Sequence, residues 1–440
     1  MATVSEAIRH QQLRADLWKP LSGIGPRYAL VLGLAAAVIL WGAFAWGCQL
    51  YYGMGVTGLQ RPVFWAFYIV DFVFWIGISH AGTLISAILR LTDAGWRRPV
   101  TRAAEAITVF ALMIGGMFPI IHLGRAWLFY WLIPYPNSRL LWPNFRSPLL
   151  WDLTAILTYL TGSVLYLYLP LIPDLAHLGG HSTGWRKLFY RITSSGWTGS
   201  DREWHALEHA MKLMAGIILA IAVSVHTVVA WDFAMAIAPM WHSTIFGPYF
   251  VVGAIFSGIA ALLLVMAILR KTLHLEAYLR PKHFHNLAKL LLLMSLLWLY
   301  FTSAEYLTTW YGNDPSEMNV WGARTRGPYA IFFWGMVFVN FVVPFVLLGI
   351  RRLRSIRTAT ISAVGVLIGM WLERYLIVVP TVATTRLPSA WTSYLPSWVE
   401  VSITAATFAG MIALYLVFSK LFPVIAIWEY RPEPEEEAAH

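Results

Sequence analysis

Ten stretches of this chain are apolar over about 20 residues each, the length that crosses a bilayer as a helix. They run over 28–50, 63–89, 104–125, 148–171, 207–235, 246–269, 286–310, 328–350, 359–382 and 398–419. A segment in hydrocarbon must bond its own backbone N–H and C=O groups, which selects helices over open strands. The expected fold is therefore an all-α membrane protein of ten transmembrane helices. Only 12% of residues are charged and 58% are hydrophobic, whereas soluble domains carry about a quarter charged. That balance excludes a soluble multidomain enzyme and a disordered chain. The first 27 residues, ending PLSGIGPR, are too polar for a secretory apolar region, so no cleaved signal is expected.

The formal net charge is +10, and its distribution decides what it means. The tail and connections on the terminal side of the spans carry 23 Lys/Arg; those on the opposite side carry 7, counting Arg125 at a span end. This bias places both termini in the cytoplasm and makes the basic excess a matter of topology, not nucleic-acid binding. Cys48 is the single cysteine. It forms no intrachain disulfide, and the chain has no thiolate set for an iron–sulfur cluster; any such cluster sits on a partner.

A repeat organises the spans. AILR recurs at 87–90 and 267–270, Arg-Pro at 98–99 and 280–281, and Arg-x-Pro at 146–148 and 326–328, at offsets of 180, 182 and 180. A parallel duplication of this kind predicts two four-helix bundles, spans 2–5 and 6–9, flanked by spans one and ten. The expected segments are a cytoplasmic N-terminal stretch (1–27), the first span and outer loop (28–62), a first bundle (63–235), a second bundle (236–382), and the last span with an acidic cytoplasmic tail (383–440). The halves differ where it matters. Asp152 stands four residues after Pro148, where the second half has Phe332, and the His122 position corresponds to the neighbourhood of Thr302 and Ser303. Chemistry is therefore expected in the first bundle.

An ionisable group at the bilayer centre costs about 2.5–3.5 kcal/mol on insertion scales, so each one calls for a role. The stretch FPIIHLGRAWLFYW (118–131) sets His122 and Arg125 one turn apart near the outer end of span three. At a rise of about 1.5 Å per residue, His122 and Asp152 lie within roughly 6 Å of their outer span ends, Asp71 about 12 Å down and His226 about 14 Å down. Asp232 is as shallow as Asp152. His122 and Arg125 taken singly also fit side chains that snorkel to the interface. Asp152, behind Trp151 in an apolar run, fits that reading less well. Together His122, Asp152, Arg125, Asp71, Trp151, His226 and Asp232 mark a candidate pocket, with Arg125 expected to pair with or orient Asp152. A neutral imidazole and a carboxylate are suitable proton acceptors near neutral pH.

Deeper groups form a second set: Asp71, His80, Glu105, Glu305, Glu373 and Arg374. They read as a proton path or as polar contacts holding helices together. Glu373 and Arg374 are adjacent and do not share a helix face, so each is expected to find partners on other spans. His80, at roughly 26 Å from its outer end, matches no other span-interior histidine in depth, which argues against bis-histidine haem. His205-Ala-Leu-Glu208-His209 fits a zinc-protease spacing but lacks a third ligand, and no metal site is expected. Lys282-His283-Phe284-His285 reads as a basic loop and EPEPEEEAAH as a disordered tail. The aromatic outer loop after span three reads as an interfacial belt or, with its prolines, as a rigid lid or docking surface.

PIIHLGRAW closing span three and PNSRLLWPNFRSPLLWDLTA entering span four resemble the NrfD/polysulfide-reductase-like (PsrC-like) membrane subunits. The resemblance covers essentially the whole hydrophobic chain and is strongest over 60–235. Within that group the chain looks most like the quinol-oxidising subunit (ActC) of alternative complex III. The resemblance implies a subunit without haem or iron–sulfur cluster in a bacterial cytoplasmic membrane. Menaquinol or ubiquinol would bind near the outer surface of the first bundle, with His122 and Asp152 as the catalytic pair. It also implies an extracytoplasmic iron–sulfur subunit, a multihaem cytochrome c, a second NrfD-like subunit and small membrane subunits as partners. A respiratory or photosynthetic electron-transfer role follows, with proton translocation as a further expectation. Two other readings remain open: an NrfD-like anchor that reduces quinone for another oxidoreductase, and a secondary transporter. Transporters interrupt paired helices at midplane; Gly115-Gly116 and Pro119 interrupt span three, with no matched break in span seven.

Overall fold

A computed structural model describes residues 16–21, 23–132 and 145–429. Residues 1–15, most of the aromatic loop (133–144) and the acidic tail (430–440) lie outside the described residues, and with them the lid and disordered-tail readings. Ten long apolar helices cross the molecule. They are α1 (Pro26–Tyr52), α2 (Phe67–Leu91), α3 (Thr101–His122), α4 (Pro148–His181), α5 (Asp201–Ala234), α6 (Phe246–Thr272), α7 (Pro281–Gly312), α8 (Ala330–Gly349), α9 (Ile356–Ala383) and α10 (Trp398–Leu421). Proline opens α1, α4 and α7, where its missing N–H costs no helical hydrogen bond. Ser200, Ser355 and Ser397 cap α5, α9 and α10 by accepting from the backbone N–H three residues on. The described residues form no sheet, only an isolated bridge between Gln60 and Val63.

The helices close into two rings. In the first, α2 packs on α3, α3 on α4, α4 on α5 and α5 on α2; in the second, α6, α7, α8 and α9 close in the same order. The rings join through α2 against α6 and α9, and α5 against α6. α1 and α10 pair with each other, and α10 lies against α2 and α3. α2 is thus the central helix, with 94% of its most apolar window buried, whereas α1 buries 17% and turns the rest outward. Close approach explains Gly82 on α2: a Cβ there would lie 1.8 Å from the Ala104 carbonyl oxygen on α3.

Three helices are locally broken, each at a proline. α4 tightens into a 3₁₀ turn over Leu169–Leu171 at Pro170. In α8 a π turn covers Phe338–Val342. Pro344 has no N–H to give the carbonyl of Asn340, and that carbonyl instead accepts from Ser295 Oγ of α7 at 2.6 Å. In α3 the helix ends at Gly115 and restarts as Phe118–His122, because Pro119 cannot donate to Gly115.

At the end of the molecule opposite His122, the segment after α10 folds back across the first bundle. Glu429 accepts from Arg90 Nη1 at 3.0 Å and Arg97 Nη1 at 2.6 Å. Trp428 donates to the Pro170 carbonyl, and Arg102 pairs with Asp174. Burial raises the Glu429 carboxyl, but Arg90 and Arg97 outweigh it and hold the group below its ordinary value of 4.5. A depressed acid stabilises the fold fully above the unfolded value and loses that contribution as pH falls through the folded one. Glu429→Gln is expected to cost about 1.5–3 kcal/mol at pH 7. Thermal unfolding of the detergent-solubilised protein checks this: the gap between variant and parent should close as pH drops below about 4.5.

Candidate functional site

The break in α3 sets the direction of its last turn, and His122 ends that turn. Its ring stands edge-on to Tyr68 of α2, with centroids 6.4 Å apart. Tyr68 donates to Gln49 Oε1 at 2.6 Å, and Gln49 Nε2 donates to the carbonyl of Ile121 at 2.8 Å. One hydrogen-bonded chain from α2 through α1 therefore anchors the residue next to His122. Nδ1 of His122 is buried and has no hydrogen-bond partner. Beyond it the backbone turns at Gly124 with φ +70°, where a Cβ would also meet Met54. This carries Arg125 to an exposed position with no carboxylate partner among the described residues. The expected pairing of Arg125 with Asp152 is not formed: the turn at Gly124 aims the guanidinium away.

Asp152 meets a different residue. Trp151 Nε1 donates to the Phe145 carbonyl at 2.8 Å, fixing the first turn of α4, and the next residue, Asp152, is buried. Its carboxyl lies within hydrogen-bonding reach of Asp232 on α5. The rings of Trp151 and Trp231 stand 6.0 Å apart beside the pair. Oδ1 of Asp152 and Oδ1 of Asp232 are both buried without a hydrogen-bond partner. Two facing carboxyls in such a place can share a single proton, which suits the pair to take up a hydrogen and pass it on. No hydrogen bond joins His122 to Asp152; their described partners are Tyr68 and Asp232. A cleft of about 400 Å³ adjoins Trp151, but its Leu150, Thr154 and Leu157 walls lie across α4 from Asp152, at 3.6 residues per turn.

The other sequence-flagged groups separate into distinct places. Asp71, four residues into α2, is fully buried. It accepts from Trp371 Nε1 of α9 at 2.8 Å and Thr404 Oγ1 of α10 at 2.5 Å, so it serves the junction of α2, α9 and α10. His226 lies ring to ring with His80, centroids 4.4 Å apart. The depth mismatch expected for these two is thereby overturned. α2 begins at Phe67, four residues later than hydropathy places it, and the helix ends do not lie in one plane. Contact this close leaves no gap for a macrocycle. His80 is held by the carbonyls of Ile76 and Ala222, each at 2.7 Å.

Glu105 accepts from Ser86 at 2.5 Å near the opposite end, and Glu305 accepts from Ser243 at 2.7 Å. Glu373 and Arg374 do pair with each other, contrary to the face argument, because two long side chains bend toward one another inside an apolar interior. Each also has a partner on another helix: Trp298 Nε1 donates to Glu373 at 2.5 Å, and Arg374 lies over the Phe250 ring at 5.0 Å. A void of about 20 Å³ lies between Glu305 and Glu373, room for about one water. Among the described residues no group of three or more His, Cys, Asp or Glu is placed to hold a metal, and His205, Glu208 and His209 are exposed.

Residues 55–386 match the family profile described as polysulphide reductase, NrfD. The chain belongs to the NrfD family. His122, Asp152 and Asp232 all fall inside the matched region, whereas Glu400 and Thr404 of α10 lie past its end. A relative in Halobacterium salinarum, named as a putative membrane subunit of dimethyl sulfoxide reductase, is 27% identical over 341 residues, 76% of this chain and 73% of the relative. A selenate reductase subunit of Mesobacillus selenatarsenatis is 24% identical over 418 residues, 90% of this chain and 94% of that protein. Both are named as reductase subunits, and neither as a subunit of alternative complex III. Sequence reasoning on this NrfD-family chain passed over Gln49, Tyr68, Trp371 and Thr404, none of them ionisable near neutral pH. Gln49 alone carried a signal, as a lone amide within an apolar span.

Proposed function

We propose that the chain is the membrane subunit of a multisubunit reductase, taking hydrogen from quinol in the bilayer and passing electrons to an iron–sulfur-bearing partner outside it. The observation that carries this is the Asp152–Asp232 pair, whose buried Oδ1 atoms lack donors at the same end of the bundle as the unpartnered Nδ1 of His122. Quinol oxidation releases two protons with two electrons, and its hydroxyls are the donors these atoms lack. Substrate in place, His122 accepts one hydroxyl hydrogen and the carboxyl pair the other, each then handing a proton to water at the margin. Trp151 and Trp231 shield the pair. The charge bias of 23 to 7 supports an extracytoplasmic position for this end.

Of the two directions, quinol as donor agrees with relatives named as reductases. The narrower assignment to alternative complex III rests on the likeness around His122 and Asp152, and a co-purifying multihaem cytochrome c would select it. The test is His122→Ala in the assembled complex: quinol-driven turnover should fall about a hundredfold, while turnover driven by a dye that reduces the partner directly stays unchanged. Full quinol turnover in that variant removes His122 from the reaction.

A further inference from the structure

At the same end of the molecule, on the second bundle, a cleft of about 620 Å³ lies between the starts of α2 and α8, the end of α9 and the loop before α10. That volume falls within the range of small-molecule sites, about 300–1,000 Å³. Its walls are aromatic and fixed. The rings of Trp371 and Tyr375 stack at 6.0 Å and 13°, and Phe67 stands edge-on to both, at 81° and 90°. Phe332 stands edge-on to Tyr375 from the α8 side at 5.7 Å.

Buried hydrogen bonds behind these walls hold them in place. Trp371 is pinned by Asp71, and Asp71 by Thr404. Tyr394 donates to Glu400 at 2.6 Å, and Glu400 also accepts from the backbone of Gly58 and Ser397. The two carboxylates are thus turned away from the cavity. Among the described residues no carboxylate, histidine or lysine lines the cleft, only polar groups such as Asn319, Thr392 and Ser393 beside the rings. On the lip, Trp391 and Phe332 are 45% and 40% exposed.

We propose that this cleft is a second quinone site, one that holds the ring without reacting it. An acyl chain fits any apolar groove, whereas walls already locked face-on and edge-on favour a planar ring, whose ordering cost they reduce. The described lining has no carboxylate, histidine or lysine, and the phenols of Tyr329, Tyr375 and Tyr394 are not bases near neutral pH. It holds no group to take up quinol protons, so the site stores or exchanges quinone beside the reacting one. The tail leaves over Phe332 toward lipid. The chemistry of the ring rests on the quinone reading above. It assigns Asp71 a positioning role, orienting the Trp371 indole.

The experiment uses the intact complex in lipid nanodiscs, photolabelled with an azido-naphthoquinone and mapped by peptide mass spectrometry. Label is expected in peptides spanning 367–396 as well as in those near His122 and Asp152, with both sets displaced by excess unlabelled naphthoquinone. Trp371→Leu should reduce label in the first set about tenfold and leave the second set and quinol turnover unchanged. Trp391→Leu, on the exposed lip, should give a smaller loss and serves if the buried variant does not assemble. Label confined to the His122 side overturns the second site and leaves the quinone reading standing. Label at neither place overturns both. Cleft label that neither variant reduces, or that added phospholipid competes away equally well, also overturns the second site.

Discussion

Asp152→Asn is expected to lower quinol-driven turnover of the assembled complex by about 10²–10⁴-fold, the range lost when a positioned proton-transfer group is removed. The carboxyl it replaces faces Asp232, and the asparagine amide would donate permanently to that neighbour. The pair would keep its contact and lose its capacity to take up a hydrogen. Asp232→Asn acts on the same shared proton, so the double variant should be scarcely slower than either single one. Groups that work as a unit lose their function once, not twice. Turnover with quinol, measured beside turnover with a direct electron donor to the partner, separates this from failed assembly. Losses that multiply in the double variant would mean that the two carboxyls act independently and that the shared proton is not the working feature.

This prediction concerns a pair that the sequence offered only as two members of a wider group. Both were visible as acids in apolar surroundings, because hydropathy registers charge. Their pairing was not visible, since it depends on how α4 and α5 rotate against each other. Arg125 looked the natural partner of Asp152 by charge alone, and the left-handed turn at Gly124 decided otherwise. The ten spans were legible because every backbone group in lipid must be satisfied within its own helix. Their ends were less so. α4 runs on to His181 and α5 begins at Asp201, beyond the apolar runs, where helix continues in polar sequence under a serine cap.

Those shifted ends explain why depth counted in residues misjudged His80 and His226. A rise per residue locates a group only along its own helix, and neighbouring helices start at different heights. The two rings close in the same order, as the repeat predicts, although Pro148 opens α4 whereas Pro328 stands just before α8. What the repeat did not disclose was an aromatic cleft on the half that lacks the outer acid and histidine. Its walls are ordinary Phe, Trp and Tyr of a membrane protein, and only their mutual angles set them apart. Asp71 changes meaning in the same way: from sequence it is a buried acid in the first bundle, and in the structure its oxygens reach across to Trp371 and Thr404.

Arg374→Leu is expected to destabilise the protein by about 3–5 kcal/mol, the cost of leaving a buried charge without its partner. Arg374 and Glu373 are each 2% exposed, midway along α9. Without the guanidinium, the Glu373 carboxylate keeps the Trp298 N–H as its described hydrogen bond, in surroundings that give no solvent screening. Glu373→Gln should cost less, because the amide still accepts from Trp298 and Arg374 keeps its place over the Phe250 ring. The double variant Glu373→Leu/Arg374→Leu should recover much of the loss, since replacing both charges removes the unpaired one. Thermal unfolding of the purified complex, with its yield from membranes, measures all three. If these residues serve only to hold helices together, the stable double variant also turns over quinol normally, and a double variant no more stable than Arg374→Leu would show that the pair's worth lies in its separate contacts to α6 and α7.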